Sequence, residues 1–78
     1  MKIAELADRT RADAEVLSAG AASLRELRQR LATADAMPAW FDAEIRAHID
    51  RCGTAANDLA AAADNLDAHA RALGERDS

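Results

Sequence analysis

Thr33-Ala34-Asp35-Ala36-Met37-Pro38 divides the 78-residue chain into two halves, and the reading of this stretch decides the fold. Proline cannot continue a helix from its N-side, yet it suits the first turn of a new one. On either side of the break, one residue stripe recurs in alternating steps of three and four. Upstream it runs Ile3, Leu6, Thr10, Asp13, Leu17, Gly20, Leu24, Leu27, Leu31 and Ala34. Downstream it runs Ile45, Ile49, Cys52, Ala56, Leu59, Ala63, Leu66, Ala70 and Leu73. Such spacing places each run on one narrow side of a helix, the seam of a coiled coil.

The expected fold is therefore all-α and a single domain. It has a first helix over about 3–34, a turn over about 35–37, a second helix over about 38–73 and a polar tail over about 74–78. Asp42 and Glu44 stand near the positive end of the second helix. Gly74 suits the left-handed residue that closes a helix, with Arg71 and Arg76 nearby. A short turn between long helices makes them antiparallel. Centring the turn near residue 36 pairs Leu24 with Ile49, Leu27 with Ile45 and Leu6 with Leu66. Gly20 then falls opposite Cys52 and Gly53. Glycine inside a helix costs about 0.8–1 kcal/mol relative to alanine, so this layer either marks close backbone approach or is merely tolerated.

Half the residues are apolar, but alanine supplies most of them. A lone chain of this size with few large apolar side chains is marginal, and small scaffolds add disulfides, a metal or a partner. Cys52 is the only cysteine, and with two distant histidines it makes neither a disulfide nor a zinc site. The remaining source of stability is another chain: the partner expected is a helical protein or a second copy. A net charge of −4 without a basic cluster argues against nucleic acid and anionic membranes. No apolar run reaches membrane-spanning length, and the N-terminus lacks the apolar stretch of a signal peptide. The chain is expected to assemble in the cytosol, and to leave it, if at all, by a route that reads no cleaved signal.

Catalytic equipment is not found. His48 and His69 lie about 32 Å apart along a straight helix and cannot share a metal or substrate. They read as flank residues, and Cys52 reads as a small buried hydrophobe. No phosphate loop, serine elbow or metal-ligand spacing occurs, so neither enzyme activity nor a cofactor is expected. Glu5–Arg9, Glu26–Arg30, Asp42–Arg46 and Asp67–Arg71 are acid-first i,i+4 pairs of a solvated face. Asp13 lies in the first helix's stripe, where it either reaches out to water or fixes pairing with another chain.

The candidate protein-binding residues are Trp40, Phe41, Ala7, Ala14, Ala21, Gly53, Ala60 and Asp13. Phe41 falls near the seam, which turns Trp40 outward, either to fold over the turn or to anchor a second protein. Ala7, Ala14 and Ala21 flank the first stripe, and Gly53 and Ala60 lie on the same side of the second helix. Together they form a small-residue strip that a further helix could approach closely, bordered by Arg28, Arg46 and Asp67.

Trp40 directly after an interhelical break, a length near 80 and an alanine-rich second helix through Ala55–Ala70 together resemble the WXG-type family of small helical hairpins handled by type VII secretion. The W-x-G turn lacks its glycine, since Phe41 and Asp42 follow Trp40. The family's C-terminal Tyr-x-x-x-Asp/Glu signal is matched only by Leu73-Gly74-Glu75-Arg76-Asp77, with leucine in the tyrosine's place. The resemblance implies a hairpin that dimerises into a four-helix bundle. Its departures imply the non-signalling partner or adaptor of an exported protein such as a toxin. Two other classes fit the residues: a self-associating homodimeric scaffold, and a small antitoxin or regulator that binds an enzyme.

Overall fold

The computed structural model describes residues 2–75. Two helices, α1 (Ile3–Thr33) and α2 (Ala39–Ala72), pack against each other as a hairpin with extents of 57 × 15 × 15 Å.

Backbone chemistry closes the turn. Asp35 adopts the left-handed conformation, φ 53°. Its amide donates to the Ala32 carbonyl at 3.1 Å, and the Ala36 amide donates to the Leu31 carbonyl at 3.0 Å. This paired bonding satisfies carbonyls that the helix end leaves open, and aspartate tolerates the left-handed state better than most side chains. Pro38 is the extended residue preceding α2, and its carbonyl accepts from the amides of Phe41 and Asp42 at 3.0 and 3.1 Å. Gly74, φ 78°, ends α2 with the same paired bonds, from its own amide to Arg71 and from the Glu75 amide to Ala70, both 2.9 Å. Beyond that turn Glu75 reaches across the pair, and its Oε1 accepts from the Ala4 amide at 3.1 Å. A carboxylate is favourable at that place, where the first turn of α1 presents unbonded amides and the positive end of its dipole. Arg76, Asp77 and Ser78, and with them the end of the Leu73–Asp77 signal-like stretch, lie outside the described residues.

The seam differs from the one expected on α1. The buried residues are Ala7, Ala14 and Ala21 on α1, and Ile45, Ile49, Ala56, Ala63 and Ala70 on α2. On α2 the expected stripe holds as far as Ala70. On the α1 side it holds in part: Ile3, Thr10, Leu17, Gly20, Leu24 and Leu31 are half-buried, while Leu6, Asp13, Leu27 and Ala34 are exposed. The inner face is turned toward the alanines, one position further along the chain. Alanine recurs every seventh residue on both helices, so two flat strips can meet closely, and the leucines flank that contact on one side. Ala7, Ala14 and Ala21 are therefore interior to the hairpin and unavailable to a further helix, contrary to the strip read from sequence.

Of the two readings of the glycine layer, the tolerated one holds. A methyl group built on Gly20 or on Gly53 would meet nothing within 4 Å, so neither glycine marks a close backbone approach.

Candidate protein-binding surface

Two unlike faces flank the alanine seam. In an antiparallel pair, positions just before each buried seventh residue share one side, and positions four after it share the other. The first set holds Leu6, Asp13, Gly20 and Leu27 on α1 with Phe41, His48, Ala55, Ala62 and His69 on α2, and is called the front. The second holds Ala4, Arg11, Ser18 and Arg25 with Arg46, Gly53, Ala60 and Asp67, and is called the back.

Ion pairs bridge the back. Arg11 Nη2 lies 2.7 Å from Asp67 Oδ2 and 3.1 Å from Asp64 Oδ1, with Asp8 at 3.8 Å on the same helix. Near the turn, Arg28 Nε lies 2.7 Å from Asp42 Oδ1, which Arg46 Nε approaches at 3.2 Å. The hydrogen bond that Arg11 donates to Asp67, then the one it donates to Asp64, raises the Arg11 pKa above its ordinary value. Asp42 is held below the usual carboxylate value by the Arg28 guanidinium first and Arg46 second. Of the residues read as the border of a docking strip, Arg28 and Asp67 thus tie the two helices together, while Arg46 supports Asp42 from within α2. Glu26–Arg30, at 2.7 Å, is the solvated i,i+4 pair its spacing implies. Gly53 and Ala60 are half-buried on this back face, beside charges already engaged. Ala60 shares a shallow groove with Ala14, Ser18, Ala56 and Arg11.

The front is apolar and uncovered. Leu24, Leu27, Trp40, Phe41 and Ile45 line a groove of about 280 Å³ at the turn end, with Glu44 and His48 at its rim. Trp40 is 70% exposed, and its ring meets Phe41 edge-on at 5.8 Å between centroids. It therefore does not bury itself over the turn. Leu27 and Leu6 are each 43% exposed, one toward either end of the front. Between them Leu17, Gly20, Cys52, Ala55, Leu59 and Leu66 are only half-buried. Cys52 is thus less buried than its stripe position implied. Asp13 is exposed on this front.

Of the sequence candidates, the structure brings Trp40 and Phe41 together and leaves Asp13 further along the same face. The three α1 alanines are removed from the surface. Leu24 and Leu27 are front-groove residues that the stripe assigned to the interior. A sequence signal for this existed in the opposite charges at the matching back positions Arg11 and Asp67, which fix the face opposite the apolar one.

Among the described residues no group of three or more His, Cys, Asp or Glu is arranged to hold a metal ion, and no helix is long and apolar enough to cross a membrane. Comparison with known proteins finds no matching family model, curated protein or solved structure.

Proposed function

We propose that this hairpin is a non-enzymatic binding module whose front face completes a helical bundle with another chain. One observation carries the reading: among the described residues no large side chain is fully buried, and the leucines and aromatics are left along one face. Monomeric proteins rarely leave long contiguous apolar patches uncovered, and such patches mark interaction sites. The charged back offers less to a helix, because Arg11 with Asp67 and Arg28 with Asp42 already pair across the hairpin. Trp40 and Phe41 at the turn end supply rigid aromatic area of the kind that dominates interfaces.

A hairpin with a tryptophan just after its turn is also the architecture of the WXG-type family. On that likeness we assign the chain as partner or adaptor of a protein exported by type VII secretion. Co-expression with a helical protein encoded beside it is the experiment. The expected result is a stoichiometric complex by light scattering, a blue shift of Trp40 emission, and loss of both in Leu27→Asp. An isolated chain that melts cooperatively as a monomer, with Trp40 emission unchanged in every mixture, would contradict the proposal. A dimer of the chain alone with the same blue shift would assign the face to a second copy instead.

A further inference from the structure

We propose that the back face carries a second, separate binding site: a groove lined by Arg25, Arg28 and Arg46 that takes a carboxylate side chain from an acidic protein segment. Folding assembles this groove, because Arg25 and Arg28 belong to α1 and Arg46 to α2. With Gln29, Ile49 and Asp50, the arginines line a volume of about 360 Å³, larger than the apolar groove on the front. Much of its donor capacity is unused. Arg28 and Arg46 engage Asp42 through Nε alone, Arg28 at 2.7 Å and Arg46 at 3.2 Å from both carboxylate oxygens. Their Nη groups make no hydrogen bond among the described residues. Arg25 is exposed and makes no ion pair or hydrogen bond there at all. One turn away on its own helix stand Ala21, Ala22, Arg28 and Gln29, none of which is acidic.

The surrounding carboxylates leave this cluster positive. Glu26 pairs with Arg30, Glu44 stands at the front groove, and Asp35 lines an adjoining groove beyond Arg28. Asp50 is the one carboxylate on the lining, and it makes no ion pair. Three guanidiniums thus stand against Asp42 and Asp50, one positive charge in excess on a chain of net charge −4. That balance selects the ligand. One added carboxylate neutralises the cluster, whereas a phosphate dianion would make it negative beside Asp50. Guanidinium forks bind carboxylates through paired N–H donors, and such donors are what Arg25 and the Nη groups offer. Because Arg25, Gln29, Arg46 and Asp50 are exposed, the groove covers one side of its ligand and does not enclose a small molecule. A side chain carried on a protein segment needs no enclosure. The front groove of Leu27 and Trp40 lies on the other flank of the seam, so this site stands whether or not the front binds a helix.

The test uses the full chain, a fluorescent oligoglutamate peptide, the matching oligoglutamine peptide, and inorganic phosphate as competitor. Anisotropy at low ionic strength reads binding, and the arginine Nε–H signals locate it by NMR. The glutamate peptide should bind and move the signals of Arg25, Arg28 and Arg46 while leaving that of Arg30. The glutamine peptide should do neither. Arg25→Ala should weaken binding about tenfold, and Arg30→Ala, outside the groove, less than about twofold. Asp50→Asn should tighten it about threefold, because a like charge leaves the lining. None of these substitutions removes a contact between the helices, so each variant keeps its fold. Equal losses in Arg25→Ala and Arg30→Ala, or equal binding of the two peptides, would overturn the site. Displacement of the peptide by an equal concentration of phosphate would overturn the choice of a carboxylate ligand.

Discussion

Replacing Ala14 with leucine separates the observed alanine seam from the leucine seam that the sequence first suggests. Ala14 is buried, and Ala56 and Ala60 stand around the same groove from α2. Leucine adds three carbon atoms where two alanine strips meet, so either the helices separate or the new side chain leaves its preferred rotamer. Overpacking of this kind costs about 1–3 kcal/mol. For a domain of this length each kcal/mol lowers Tm by roughly 4–8 °C, so a fall of roughly 5–20 °C is expected. Circular dichroism melts at matched protein concentration read it, since association would itself move Tm. Ala22→Leu, at an exposed position of the same helix, is the control and should shift Tm little. Had Leu6, Asp13 and Leu27 formed the seam, Ala14 would lie on its flank and leucine there would be neutral or stabilising. A melt of Ala14→Leu at or above that of the unaltered chain would refute the alanine seam.

Gly20→Ala and Gly53→Ala should each stabilise the hairpin by about 0.8–1 kcal/mol, because both sites are helical and open to an added methyl; a loss of stability in urea titration would restore the close-approach reading. Asp42, whose pKa lies below its ordinary value of 3.8, binds its proton more weakly folded than unfolded, so its contribution is complete above the unfolded value and disappears as pH falls through the folded one. Acid unfolding should accordingly soften in Asp42→Asn, and a carboxyl carbon titration by NMR should place Asp42 below its ordinary value; an unshifted Asp42 curve would remove the Arg28 clasp from solution. Glu75→Ala should cost about 1 kcal/mol and speed hydrogen exchange at the first turn of α1, where its carboxylate accepts from Ala4; unchanged exchange would show that the contact is idle. Trp40→Ala should weaken association by about 2 kcal/mol or more while the free hairpin keeps its helicity, since Trp40 is exposed there; loss of helicity without a partner would make it a structural cap instead.

The break before Pro38 and the closing Gly74 carry backbone restrictions that act locally, and those two features placed the turn and the end of α2 in the sequence reading. The stripe on α2 was readable because Ile45 and Ile49 mark it. The stripe on α1 was ambiguous, because two sets of residues one position apart share its period. Weight given to side-chain size favours Leu6 and Leu27, whereas the pair is organised by how closely alanine lets it approach. That choice depends on both helices together, and no window along one of them contains it. The same limitation moved Ala7, Ala14 and Ala21 from a supposed docking strip into the seam. It also hid the roles of Arg11 and Glu75, whose partners lie 56 and 71 residues away in the chain. Trp40 was readable as outward-facing because its exposure follows from its position next to Phe41.

The most direct measurement compares a charge placed on the front with one placed on the back. Leu27→Asp and Arg25→Asp alter opposite flanks of one turn of α1, and both positions are solvent-accessible, so neither should disturb the free hairpin greatly. Binding of the helical partner, followed by isothermal titration, should be abolished by Leu27→Asp and kept within about threefold by Arg25→Asp, a difference of well under 1 kcal/mol. Binding that survives Leu27→Asp and fails in Arg25→Asp would contradict the account.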